Sequence, residues 1–164
     1  MKVLVTVASK HGSTREVGAT IAEQLRMHGL DVDEIEPASV HSVSEYDAVV
    51  VGSAVYMTQW MDSAREFLAR FGHNLEELEL WAFSVGMAGV GSGGIEDPSR
   101  VGPALLTARP RDYVTFKGKL NPQELSWRER TVAKLGGAIE GDFRDEAAER
   151  EWADSIAAAL TSTR

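Results

Sequence analysis

The chain contains no cysteine. That absence removes disulfides, thiol nucleophiles, cysteine-ligated iron–sulfur clusters and cysteine-based zinc sites, so any redox chemistry needs an organic cofactor. Histidine is scarce as well: His11, His28, His41 and His73 are scattered with no i, i+4 pairing or other metal-ligand spacing, and no metal site is expected. No apolar run is long enough to span a bilayer, and Met1-Lys2 leads straight into a short strand-like run without a signal-type apolar core, which makes a cytoplasmic location the expectation. Positive charge is in deficit. With 17 Lys and Arg against 25 Asp and Glu, the formal net charge of -8 disfavours nucleic acid and anionic lipid as partners unless the basic residues are segregated on one face. No internal repeat, low-complexity tract or interdomain linker interrupts residues 1–164. The length of 164 residues, 43% of them apolar, suits a single domain around one sizeable core.

What is present alternates in period. Residues 2–8 (KVLVTVA) form a short run rich in β-branched residues that ends at a polar, glycine-containing loop, the pattern of a buried strand. From residue 14 to 28, Val17, Ile21, Ala22 and Leu25 recur at helical spacing, and Gly29 stands where the helix would stop. Further strands are predicted at 31–36, 48–52 and 80–85, with a helix near 61–71. A short helix is predicted at 100–107, and a fifth strand begins at 113–116. Asp145 caps a last helix in which Ala148, Trp152, Ile156 and Leu160 repeat at spacing four. Strands separated by helices favour a parallel sheet. Five of them fit an α/β, doubly wound sheet of order 2-1-3-4-5 with helices on both faces.

Three loops then fall at the carboxyl edge of that sheet. Ser9-Lys10-His11-Gly12-Ser13-Thr14 lies between the first strand and the first helix, where free backbone N–H groups converge and favour a phosphate. Gly12 permits a tight turn, while Ser9, Ser13 and Thr14 add hydroxyl donors. The loop lacks the Gly-Lys-Ser/Thr ending of a Walker loop and the three-glycine dinucleotide fingerprint, and its size suits a monophosphate. The plain alternative is a βα turn in which Ser13 or Thr14 caps the helix. The second loop, Ser53-Ala54-Val55-Tyr56-Met57-Thr58-Gln59-Trp60, can set Tyr56 or Trp60 beside a planar ligand such as an isoalloxazine ring, although Trp60 fits the core face of the following helix equally well. The third runs from Gly86, Met87, Ala88 and Gly89 to Gly94, and its exposed backbone can line the edge of a ring or form a plain surface loop.

Other uses of such a sheet are disfavoured. A phosphoryl receiver needs clustered acidic residues after the first strand and an aspartate near the end of the third, whereas these strands end in Ala8-Ser9 and Gly52-Ser53. A Ser–His–acid hydrolase lacks its nucleophile elbow, for which Gly91-Ser92-Gly93 is a weak imitation. Lys117, Lys119, Arg128, Arg130 and Lys134 make a locally basic stretch that suits either an acidic partner or an ordinary solvated face.

Residues 3–14 (VLVTVASKHGST), 48–56 (AVVVGSAVY), 116–120 (FKGKL) and 141–145 (GDFRD) resemble the flavodoxin-domain family that includes menaquinone-dependent protoporphyrinogen oxidases. The resemblance spans nearly the whole chain and implies a flavodoxin-like fold with noncovalent flavin mononucleotide (FMN). Carried over by position, Ser9, His11, Gly12, Ser13 and Thr14 hold the FMN phosphate, and Ser53, Ala54, Val55 and Tyr56 with Gly86, Met87, Ala88 and Gly89 flank the ring. Ser9 and His11 stand where flavodoxins commonly have threonines. The extra segment, about 120–141 after the fifth strand, is implied to distinguish oxidase-like members from shorter electron carriers. The expected function is an FMN-dependent oxidoreductase passing electrons from a small-molecule redox substrate to a quinone or other acceptor. The alternatives are an electron carrier that docks to redox proteins and a flavin-free interaction domain. No catalytic acid or base is assigned.

Overall fold

A computed structural model describes residues 1–56, 59–86, 103–120, 126–127, 131, 135, 141–142 and 144–162. Strand β1 is Lys2–Ala8, buried from Val3 onward, as a strand with helices on both sides must be. Helix α1 (Ser13–Met27) follows, then β2 (Asp31–Glu34), β3 (Ala48–Tyr56), β4 (Gln59–Trp60), α2 (Asp62–Leu75) and β5 (Glu79–Gly86). After these come α3 (Pro103–Ala108), β6 (Asp112–Lys117), β7 (Lys119–Leu120), β8 (Gly141–Asp142) and α4 (Glu146–Ser162). The sheet runs β2-β1-β3-β5-β6, and every pairing along that path is parallel. This is the expected order 2-1-3-4-5 of five long strands in a flavodoxin-like α/β fold. Two features were not anticipated: β4 pairs antiparallel with β3 as a hairpin, and β7 pairs antiparallel with β8.

Alternation along the strands divides the core into two layers. Val3, Val5 and Val7 face α1 and α4, where they meet Val17, Ile21 and Leu25, together with Trp152, Ile156 and Leu160. Leu4 and Ala8 face the opposite layer, built on Phe67, Leu68 and Phe71 of α2 and on Leu105 of α3. The last helix starts as its sequence requires: the Asp145 carboxylate accepts a hydrogen bond from the Ala148 N–H at 3.1 Å. No helix among the described residues is long and apolar enough to cross a membrane.

Helix α4 also carries a buried glutamate. Glu149 is 2% exposed, and burial pushes its carboxyl group above the ordinary value near 4.5. Below that value the carboxyl is protonated in the folded and unfolded chain alike. As pH rises, the unfolded chain ionises first, so stability is lost until the folded-state value is passed. We therefore expect Glu149→Gln to unfold like the parent near pH 4 and to exceed it in stability at pH 8. Denaturant titrations at both pH values check this; an equal gap at the two would contradict it.

Candidate functional site

The register of the sheet brings the three loops level. Ala8 pairs with Ser53, and Ala54 pairs with Val85, so β1, β3 and β5 all end at one edge. The chain leaves β1 in both directions across the sheet there, which makes the β1/β3 boundary the topological switch point where open α/β sheets receive ligands.

At that point the N-terminus of α1 has no side-chain cap: neither Ser13 nor Thr14 fills that role, and the N-cap residue is Gly12, at φ 89° and ψ -23°. An L-residue is strained in this left-handed conformation, and glycine is not. The Ser9 hydroxyl oxygen accepts from the Gly12 N–H at 3.0 Å and closes the loop, while the Gly12 carbonyl accepts the first helical bond from the Glu16 N–H at 3.0 Å. The N–H groups of Ser13, Thr14 and Arg15 precede that bond and have no acceptor within the helix. They join the positive end of the helix dipole. Thr14 is buried, Ser13 half-buried and His11 exposed.

Tyr56 ends β3 half-exposed, and the Lys10 ammonium lies 5.5 Å from its ring centroid. This cation–π contact ties the first loop to the second across the switch point. Sequence reasoning did not single out this contact, although the place of Lys10 inside the loop was the available signal. Ser53 and Val55 are buried and Ala54 is half-buried. The Ser53 hydroxyl donates to the Ala54 carbonyl at 2.8 Å and accepts from the Met61 N–H at 3.0 Å, so it braces the hairpin. Trp60 takes the core position of its two candidate roles. It is 2% exposed, and its indole N–H donates to the Ser84 hydroxyl at 2.7 Å, which lies 2.6 Å from the Tyr113 hydroxyl. That leaves Tyr56 as the accessible aromatic of this loop among the described residues.

Gly86 is the buried last residue of β5, and its carbonyl accepts the Gly118 N–H at 3.0 Å. A Cβ at Gly118 would sit 2.6 Å from that oxygen, so the close approach depends on glycine. Met87, Ala88 and Gly89 lie outside the described residues, as do Met57 and Thr58. The segment 120–141 is closed at its base by the pairing of Leu120 with Gly141. Among the described residues no group of three or more His, Asp or Glu is placed to hold a metal ion.

Comparisons with known proteins bear on the family and the fold. A curated relative, the protoporphyrinogen IX dehydrogenase [quinone] of Escherichia coli K12, is 25% identical over 170 residues, covering 93% of this chain and 89% of that protein. A flavodoxin variant from Pseudomonas aeruginosa superposes with a TM-score of 0.61 at 18% identity, covering 98% of this chain and 99% of its own. The rubredoxin oxygen:oxidoreductase of Desulfovibrio gigas reaches a TM-score of 0.66 at 18% identity, with 98% of this chain matched to 36% of that longer one. The flavodoxin-domain family model matches residues 4–146. With that match and the parallel sheet order, the chain belongs to the flavodoxin-domain family.

Proposed function

We propose that this chain binds FMN noncovalently at the β1/β3 edge and works as an oxidoreductase, taking electrons from a reduced substrate of the porphyrinogen kind and passing them to a quinone. The observation that carries the reading is the α1 N-terminus without a side-chain cap, which borders the same edge as the half-exposed Tyr56. The donor set suits a phosphate monoester: three backbone N–H groups, the hydroxyls of Ser9, Ser13 and Thr14, and a glycine that lets the anion approach. His11, being exposed, enters through its backbone. Tyr56 offers its face to the ring, with Ser53, Ala54 and Val55 holding the hairpin and Gly86, Met87, Ala88 and Gly89 supplying backbone on the other side. Bound FMN supplies an acceptor and donor of one or two electrons. The residues around it fix its position and limit its contact with water. The name of the Escherichia coli relative, together with its coverage of nearly the full chain, supports the choice of porphyrinogen and quinone.

Thr14→Ala is expected to weaken FMN binding by about 1 kcal/mol or more, through loss of a charge-assisted hydrogen bond. Fluorescence titration of FMN measures this, and unchanged affinity removes Thr14 from the site. Deleting residues 121–137 should impair turnover while leaving FMN bound, because the β7–β8 pair still closes the base of the segment. The full reading is tested by anaerobic mixing of the FMN-loaded protein with protoporphyrinogen IX and menadione, followed by porphyrin fluorescence. Quinone-dependent porphyrin formation supports it. A second reading, an electron carrier for redox proteins, draws on the net charge of -8. Bound FMN with no turnover but fast exchange with a redox protein would favour that carrier.

A further inference from the structure

Ser53 of β3 and Ser84 of β5 are register partners, set between the pairs Gly52–Phe83 and Ala54–Val85, and both are fully buried. A buried hydroxyl is costly unless it is bonded, and each of these is bonded to the β4–α2 junction. Ser53 accepts the Met61 N–H at 3.0 Å, and Ser84 accepts the Trp60 indole N–H at 2.7 Å. Two neighbouring strands thus hold two consecutive residues. The Tyr113 hydroxyl shares a further bond with Ser84 at 2.6 Å, which brings in β6 as well. What they hold has little support of its own: β4 is two residues long, lies off the main path of the sheet and pairs with β3 through Val55–Trp60 and Tyr56–Gln59. A ladder that short is marginal in isolation. Trp60 lies opposite Val55, the residue before Tyr56, so fixing the indole also fixes the backbone that carries Tyr56.

We propose that Ser84 is a positioning residue for the flavin ring: through the Trp60 indole it sets the place of Tyr56 at the β1/β3 edge, and being fully buried it touches no ligand itself. Because Tyr56 meets a ring only under the flavin reading, Ser84 has this role only if that reading holds. An alanine at position 84 leaves the Trp60 N–H buried without this acceptor and frees the hairpin to shift. The phosphate half of the site is built separately, from the Ser9–Gly12 bond and the start of α1, so the effect belongs to the ring half. If the Trp60–Ser84 bond favours ring binding by some factor, ring binding favours the bond by the same factor.

Fluorescence titration of the parent, Ser84→Ala, Trp60→Phe and the double variant with FMN and with riboflavin tests the role. Each single change should weaken both flavins alike, by about fivefold, the worth of one net hydrogen bond. The double variant should weaken them by less than the product of the single factors, since both changes remove the same bond. Unchanged flavin affinity in the single variants, a double-variant factor equal to that product, or a loss for FMN larger than for riboflavin, the mark of a general defect that reaches the phosphate loop, would overturn it. The parent gives a reading that needs no variant to fold: saturating riboflavin must slow hydrogen exchange of the Trp60 indole N–H more than that of the Val50 amide. Equal slowing overturns the role and leaves the flavin reading in place. A parent that binds neither flavin overturns the flavin reading and the role of Ser84 with it.

Discussion

Phe83→Ala should lower stability by about 3–5 kcal/mol, the range for removing a buried phenylalanine without collapse of the space it leaves. Phe83 is fully buried in β5, and its ring meets Phe116 and Trp152 edge-on at centroid distances of 5.9 Å each. Beneath it lies Gly52, where a Cβ would stand 2.2 Å from the Phe83 ring. The ring therefore rests on bare backbone of β3, and no side chain there can fill the vacated volume. Against a usual domain stability of about 5–15 kcal/mol, that loss is a large fraction. Gly52→Ala alone should also destabilise, by about 1–3 kcal/mol, because the added methyl collides with the ring. Together the two changes should cost less than their sum, since the methyl then occupies space the ring has left. Denaturant unfolding of the single and double variants measures all three values. A loss below about 1 kcal/mol for Phe83→Ala would contradict this packing.

Ser13→Asp should have the largest effect on ligand binding while leaving the fold intact. Ser13 is the first residue of α1, where an acidic side chain is favourable to the helix by about 0.3–1 kcal/mol. The same carboxylate would stand in the proposed phosphate site. Two unit charges about 5 Å apart at an effective dielectric constant near 20 repel by about 3 kcal/mol, or roughly a hundredfold in affinity. FMN should therefore bind about 100-fold more weakly to this variant, with its unfolding temperature unchanged or slightly raised. Riboflavin, which has the ring but no phosphate, should bind parent and variant equally. Fluorescence titrations with both flavins separate a phosphate effect from a general one. Equal losses for the two would place the phosphate elsewhere.

Much of the architecture was legible because its signals are local. The β-branched runs of β1 and β3, the helical spacing of Val17, Ile21 and Leu25, and the cap at Asp145 each specify their own element. The hairpin of β3 with β4 was not legible. Strand β4 has two residues, too few for a period, and Tyr56 and Gln59 enclose no Asn-Gly or Asp-Gly turn. The β7–β8 pair is equally short and joins residues distant in sequence. At the site, position alone picked out the loop from Ser9 to Thr14, since strand, glycine and helix follow one another directly. Trp60 could not be assigned that way, because the hydroxyl that fixes its indole belongs to Ser84 on another strand. Glu149 was hidden for a related reason. It sits beside the stripe of Ala148 and Trp152 and is buried by Thr20 and its neighbours on α1.

The central claim is that the edge between Ser9–Thr14 and Tyr56 holds FMN, and the visible absorption spectrum of the purified chain tests it most directly. Spectra are taken before and after adding FMN and removing the excess by gel filtration. Retained flavin bands, at one FMN per chain, are the expected result. A protein that leaves the column colourless would contradict the claim and reduce the loop to a βα turn.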